Sequence, residues 1–206
     1  MNPRFYELSE ELIEKLAVLI DRPLFDESEK LVVSDITCSV SIEHWRATLQ
    51  LLGEGLLPSA VVVHRAQFEA LLRSIWALYA ASPAQLGKLN AVLTEQSEQE
   101  AKNLPLVAEM MAAVEKTAPV NAFDALNRFK TNSWKALNSY AHAGIHPLRR
   151  HAEGYPLNLF EGIARNANGL GVMAAMQSVV LAGAQPLQRE ILSLAAKYPE
   201  CMPQPL

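Results

Sequence analysis

Residues 58–81 read PSAVVVHRAQFEALLRSIWALYAA, a run that opens on proline and is apolar on nearly every side. Proline suits the first position of a helix, where its missing N–H costs nothing. Ser82 and Pro83 then end the run and start another. A helix apolar all round cannot face water along its length, so other helices must surround it. This one stretch therefore predicts an all-α chain, an up-and-down helical bundle with additional helices. With 206 residues, 50% hydrophobic and 19% charged, the chain suits a single domain over 1–206, with a loose tail from about 198. The longest apolar stretch, Leu170 to Ala184, is interrupted by Gln177, Ser178 and Gly183. It falls short of the roughly 20 residues of a membrane span, so no membrane partner is expected.

Apolar residues at helical spacing mark the other elements. Residues 7–20 form a first helix with Ser9 as its cap, stopped by Asp21-Arg22-Pro23. A second opens at Asp26 to Glu29, carries Ile42, Trp45, Leu49 and Leu52 on one stripe, and ends near Gly53 and Gly55. One polar helix covers 84–102, a short one follows Pro105, and another runs from Asn121 through Tyr140. AHAGIHPLRRHAEGYP reads as a loop because glycine and proline interrupt it. A long helix spans Leu157 to Ala182, with Gly162, Gly169 and Gly171 predicting close helix approach, and a last one starts at Pro186.

Two features carry chemistry. Arg65, Glu69 and Arg73 recur every four residues on the apolar helix, so they share a face. Unpaired buried charge costs several kcal/mol. The row is therefore either an internal ladder or a cradle in which two guanidiniums, aimed by one carboxylate, grip an anion. The second feature is a cluster: His142, His146 and His151, with Tyr140 before them and Arg149 and Arg150 among them. Imidazoles titrate near neutral pH and move protons or bind metals.

Other chemistry is missing from the sequence. Cys38 and Cys201 form no CxxC pair, so no zinc ribbon is expected. Walker, GxGxxG, GxSxG and HExxH patterns are absent. No cofactor and no metal site are expected. A net charge of −4 and pI near 5.8 argue against a duplex-coating protein, though a local basic patch still suits a phosphate. The opening MNPRFYELSEEL carries early acids and no apolar leader core, which points to the cytoplasm.

The segments HRAQFEALLRSIW and NSYAHAGIHPLRRH together resemble uncharacterised bacterial all-helical families, in which an Arg-x-x-x-Glu helix precedes a Tyr-x-His-x-Gly loop. Those families are distantly similar to the HEPN superfamily of toxin and abortive-infection proteins. The resemblance implies a helical bundle, often a homodimer, and metal-independent RNA cleavage by an Arg-x(4–6)-His motif. The histidine would assist proton transfer and the arginine would stabilise phosphate charge. It places His142 as the motif histidine. The positions for the motif arginine hold Leu137, Ala136 and Lys135, so only Lys135 is cationic. The catalytic candidates are His142, Arg65, Glu69 and Tyr140. The binding candidates are Arg73, Lys135, His146, Arg149 and Arg150. The partners implied are RNA or a nucleotide and an antitoxin protein.

Two alternatives stand beside that reading. One is a non-enzymatic helical module that binds a protein partner or a small anionic ligand, with the Arg–Glu–Arg row mainly structural. The other is a metal-dependent hydrolase using His142, His146 and Glu69.

Overall fold

The structure, a computed structural model, describes residues 3–204. Within them lie ten α-helices and no strand: α1 (Pro3–Ile20), α2 (Glu29–Gly53), α3 (Leu57–Tyr79), α4 (Pro83–Asn90), α5 (Glu95–Ala101), α6 (Val107–Thr117), α7 (Val120–Ala141), α8 (Ile145–Glu153), α9 (Leu157–Leu181) and α10 (Leu187–Ala195). The all-α bundle expected from the sequence is what forms. No described helix is long and apolar enough to cross a membrane.

As its composition requires, α3 sits at the centre, packed by α2, α6, α7 and α9. The seam of α2 explains how. Its inward positions, Ser34, Cys38, Ser41 and Trp45, alternate by four and three residues, and all are buried. The small side chains of Ser34, Cys38 and Ser41 let α3 and α9 approach closely. Ser34 donates to the Ser74 carbonyl at 2.8 Å, and Ser41 to the Gln67 carbonyl at 2.9 Å. Rising numbers on α2 thus meet falling numbers on α3, so the two are antiparallel. Trp45 lies against Gly171 of α9, where a Cβ would come within 2.2 Å of the indole.

Asn168 of α9 ties this seam together. Its Oδ1 accepts from Trp45 Nε1 at 2.9 Å. Its Nδ2 donates to Ser9 Oγ at 2.9 Å and to the Cys201 carbonyl at 2.8 Å. A fully buried amide with every group matched locks α1, α2, α9 and the tail in one register.

Two buried clusters fill the bundle. One gathers α1, α10, the tail, one end of α2, α3 and α7, and one side of α9 from Phe160 to Val179 around Leu49, Leu57 and Tyr140. The other gathers α4, α6, the opposite end of α2, α3 and α7, and Leu170, Ala174 and Leu181 of α9 around Phe68, Trp76 and Leu126. Leu126 of α7 lies in the second cluster and Leu137 and Tyr140 in the first, so α7 runs back along α3.

Several expectations change. Ser9 is not a cap: it lies inside α1, buried, with its hydroxyl donating to the Phe5 carbonyl at 3.0 Å. The helix expected over 84–102 is two, because Thr94 and Ser97 form a reciprocal capping box that starts α5 anew. The tail from 198 is packed as far as Pro203. Tyr198 and Cys201 are buried and Pro203 lies against Gly169, while 205–206 fall outside the described residues. Finally, the stretch expected as a loop contains α8. Pro147 is its third residue, where no intrahelical N–H bond is needed, so proline does not block the helix. Of the three glycines expected to allow close approach, Gly169 and Gly171 do so and Gly162 has open space.

Candidate functional site

The Arg65–Glu69–Arg73 row starts beside α7 and drifts by about 40° around the α3 axis with each four-residue step. Arg65 lies over the Trp134 ring, 5.0 Å from its centroid, with its side chain 22% exposed. Its Nε is 2.8 Å from Glu69 Oε1 but off the line of the N–H, so the contact is an ion pair and not a hydrogen bond. Arg73 is half-buried, and its Nη1 has no hydrogen-bond partner. Burial pulls its pKa below the ordinary arginine value, and Glu69 partly offsets this.

His64, one residue before Arg65, is buried against α7. Its ring meets Phe129 edge-on at 5.2 Å. Gln67 Nε2 donates to the Ala167 carbonyl at 2.9 Å, which leaves Gln67 Oε1 to accept from His64 Nδ1 at 2.9 Å. The proton therefore sits on Nδ1, and Nε2 is a buried lone pair without a partner. Desolvation lowers this imidazole from 6.5 to about 4, against a smaller upward pull from Gln67. It is a neutral core histidine at ordinary pH.

The histidine cluster sits at the other end of α7. His142 is exposed and forms the C-cap of α7. Ala143 follows at φ 50, a left-handed step that turns the chain. Gly144 is pressed against Ser139, whose hydroxyl accepts from the His146 N–H at 3.1 Å. This contact sets the direction of α8, which packs on α7 and faces the start of α3 across a hollow. None of the nine residues of α8 is buried. Arg149 pairs with Glu153, and His151 Nδ1 lies 2.8 Å from the Tyr155 hydroxyl. Tyr140 is buried beneath α8 with its ring 6.4 Å from that of His146. Burial, first, and nearby Tyr155 raise the Tyr140 pKa, and Arg150 opposes them.

A pocket of about 530 Å³ opens between α8 and the α2–α3 turn. Leu56, Pro58, Pro147, Leu148, His151 and Tyr155 are among its walls, and no acidic residue lines it. Arg65, Glu69, Arg73, Tyr140 and His142 do not line it either. Arg73 stands fifteen residues beyond Pro58 on α3, about 22 Å along the axis at a rise of 1.5 Å per residue. The structure thus brings Arg65, Glu69 and Arg73 into one row, and Tyr140, His146 and Arg150 into one group. Arg73 stands at the far end of α3 from the histidine group, while Arg65 reaches α7 over Trp134. Among the described residues no three His, Cys, Asp or Glu side chains are placed to hold a metal ion, so His142, His146 and Glu69 do not make a centre.

One signal went unread in the sequence. From Ala125 to Ala152 the chain carries Arg128, Lys130, Lys135, Arg149, Arg150 and three of its five histidines, with no Asp or Glu, although the whole chain is −4. On α7, Arg128, Lys135 and His142 fall seven residues apart and are all exposed, so they line one outward face. His151 and Tyr155 were also missed as pocket walls, because only the fold brings residues 55–59 to α8.

No curated protein and no solved structure matches the chain. A family model described as a family of unknown function, DUF6988, matches residues 38–204, and the chain belongs to that family.

Proposed function

We propose that this protein is a non-enzymatic helical module that binds an anionic partner on the surface formed by α7 and α8. The carrying observation is the separation of charge: residues 125–152 hold no acid, and along them Arg128, Lys135, Arg149 and Arg150 are exposed, within a chain that is acidic overall. Such a patch steers an anion to one surface while the remaining acids repel it elsewhere. In this reading the Arg65–Glu69–Arg73 row is mainly structural, which fits the seat of Arg65 on Trp134 and its pairing with Glu69.

The test is retention on heparin and binding of fluorescent poly-L-glutamate at low salt. The wild-type protein is expected to bind both, losing affinity as salt rises. A triple variant, Arg128→Glu, Lys135→Glu and Arg150→Glu, is expected to bind at least about tenfold more weakly. All three side chains are exposed, so the fold should survive. Equal binding by the variant would overturn the reading.

A second reading follows the HEPN resemblance: metal-independent RNA cleavage in a bacterial defence or toxin–antitoxin setting, by a homodimer in the cytoplasm. One observation favours it. Lys135 and His142 share the outward face of α7 two turns apart, and neither meets a carboxylate among the described residues. RNA cleavage in the presence of chelator, lost in His142→Ala, is its expected result. Cleavage undiminished in that variant would contradict it.

A further inference from the structure

We propose that the pocket between α8 and the α2–α3 turn receives an apolar side chain from an acidic segment of a partner protein. The inference rests on the anionic-partner reading and names the class of partner. A polyanion such as RNA would be held by phosphate contacts and by bases stacked on exposed aromatic rings. This end of the molecule offers few such rings. Tyr155 is half-buried, spoken for by His151 and packed edge-on against Phe160 at 6.2 Å. What it exposes is aliphatic: Leu56 at 51%, Ile145 at 70%, Leu148 at 66% and Leu157 at 68%.

Leu56 and Leu148 stand on opposite walls of the 530 Å³ pocket, and Pro58 and Pro147 stiffen it. An open hollow of that size seats a leucine, phenylalanine or tryptophan side chain against Leu56 and Leu148, the kind of anchor that carries protein interfaces. The rim selects charge. No lining residue is acidic, and His151 lies within the pocket. Arg150 projects about 60° around α8 from Pro147. Glu153 is already engaged by Arg149, whereas Arg150 meets no carboxylate among the described residues. A partner segment with an apolar anchor between glutamates or aspartates would fill the hollow and pair with this rim.

The experiment uses three fluorescent probes with the full-length protein: a short peptide with leucine and tryptophan at helical spacing among glutamates, the same peptide with serine at its apolar positions, and a short single-stranded RNA. Polarisation is measured for wild type, Leu148→Glu and Leu56→Ser. Both changes fall on exposed side chains, and thermal melting checks that each variant folds. The apolar peptide is expected to bind wild type at least roughly tenfold more tightly than the serine peptide or the RNA, and to lose that advantage in both variants. If the serine peptide binds as tightly as the apolar one, or if RNA binds best, the pocket proposal is overturned while retention on heparin keeps the broader reading alive. Loss of heparin retention together with all three probes would overturn both.

Discussion

Asn168 shows how much one side chain can hold. It satisfies Trp45 Nε1, Ser9 Oγ and the Cys201 carbonyl at once, with no exposure to water. Replacing it by alanine strands an indole N–H and a carbonyl in the core. The expected loss is about 3 kcal/mol in urea unfolding, and a loss under 1 kcal/mol would contradict the bridge. Gly171→Ala acts by volume, since its methyl would enter the Trp45 ring, and should cost about 2–3 kcal/mol. His64 adds a pH dependence. Unfolded, it titrates near 6.5; folded, near 4. Above about pH 6.5 both states are neutral and its contribution is complete. As pH falls through this window the unfolded chain takes up a proton that the folded chain refuses, so stability declines and then levels near pH 4. Between pH 7 and 4.5 wild type should lose about 2 kcal/mol more than His64→Leu. Equal losses would show that His64 is accessible to protons in the folded protein. Arg65→Ala should cost only about 1 kcal/mol, the sum of a helical ion pair and a cation–ring contact, because Arg65 stays partly solvated.

Among the elements, α8 departs furthest from its sequence. Gly144 and Pro147 read as breakers, and so they are inside a helix, but here each falls at a helix start where the backbone tolerates it. The turn that launches α8 carries a non-glycine residue, Ala143, at φ 50. Ala143→Gly should therefore raise stability by about 0.5–1 kcal/mol, readable as a higher melting temperature. Gly144→Ala should do the reverse, since its Cβ would lie 2.6 Å from Ser139 Oγ and break the contact that aims α8. Faster hydrogen exchange over 145–153 would report that loss. By contrast α2, α3, α7 and α9 were plain in the sequence, because long periodic or all-apolar runs admit few alternatives. The Thr94–Ser97 capping box that splits 84–102 was also present as letters, but competed with an otherwise unbroken polar helix.

For the whole molecule, the bundle decides which residues can act together. The sequence placed Arg65, Glu69 and Arg73 on one face correctly, because that relation is local to a helix. It could not place them against the histidines, because that distance depends on how α7 returns along α3. The return carries the histidine group to the start of α3, away from Arg73. What the molecule then presents is a division of charge, with cations and imidazoles gathered on α7 and α8. The pocket under α8 closes only when the α2–α3 turn arrives from far away in the chain, so no local pattern announced it.

The claim that α7 and α8 form the binding face is tested most directly by backbone NMR of labelled protein titrated with poly-L-glutamate. The account predicts shifts concentrated in the outward positions of α7 from Arg128 onward and throughout α8, fading as salt is added. Shifts centred instead on α1, α5 or α6, or none anywhere at low salt, would contradict it.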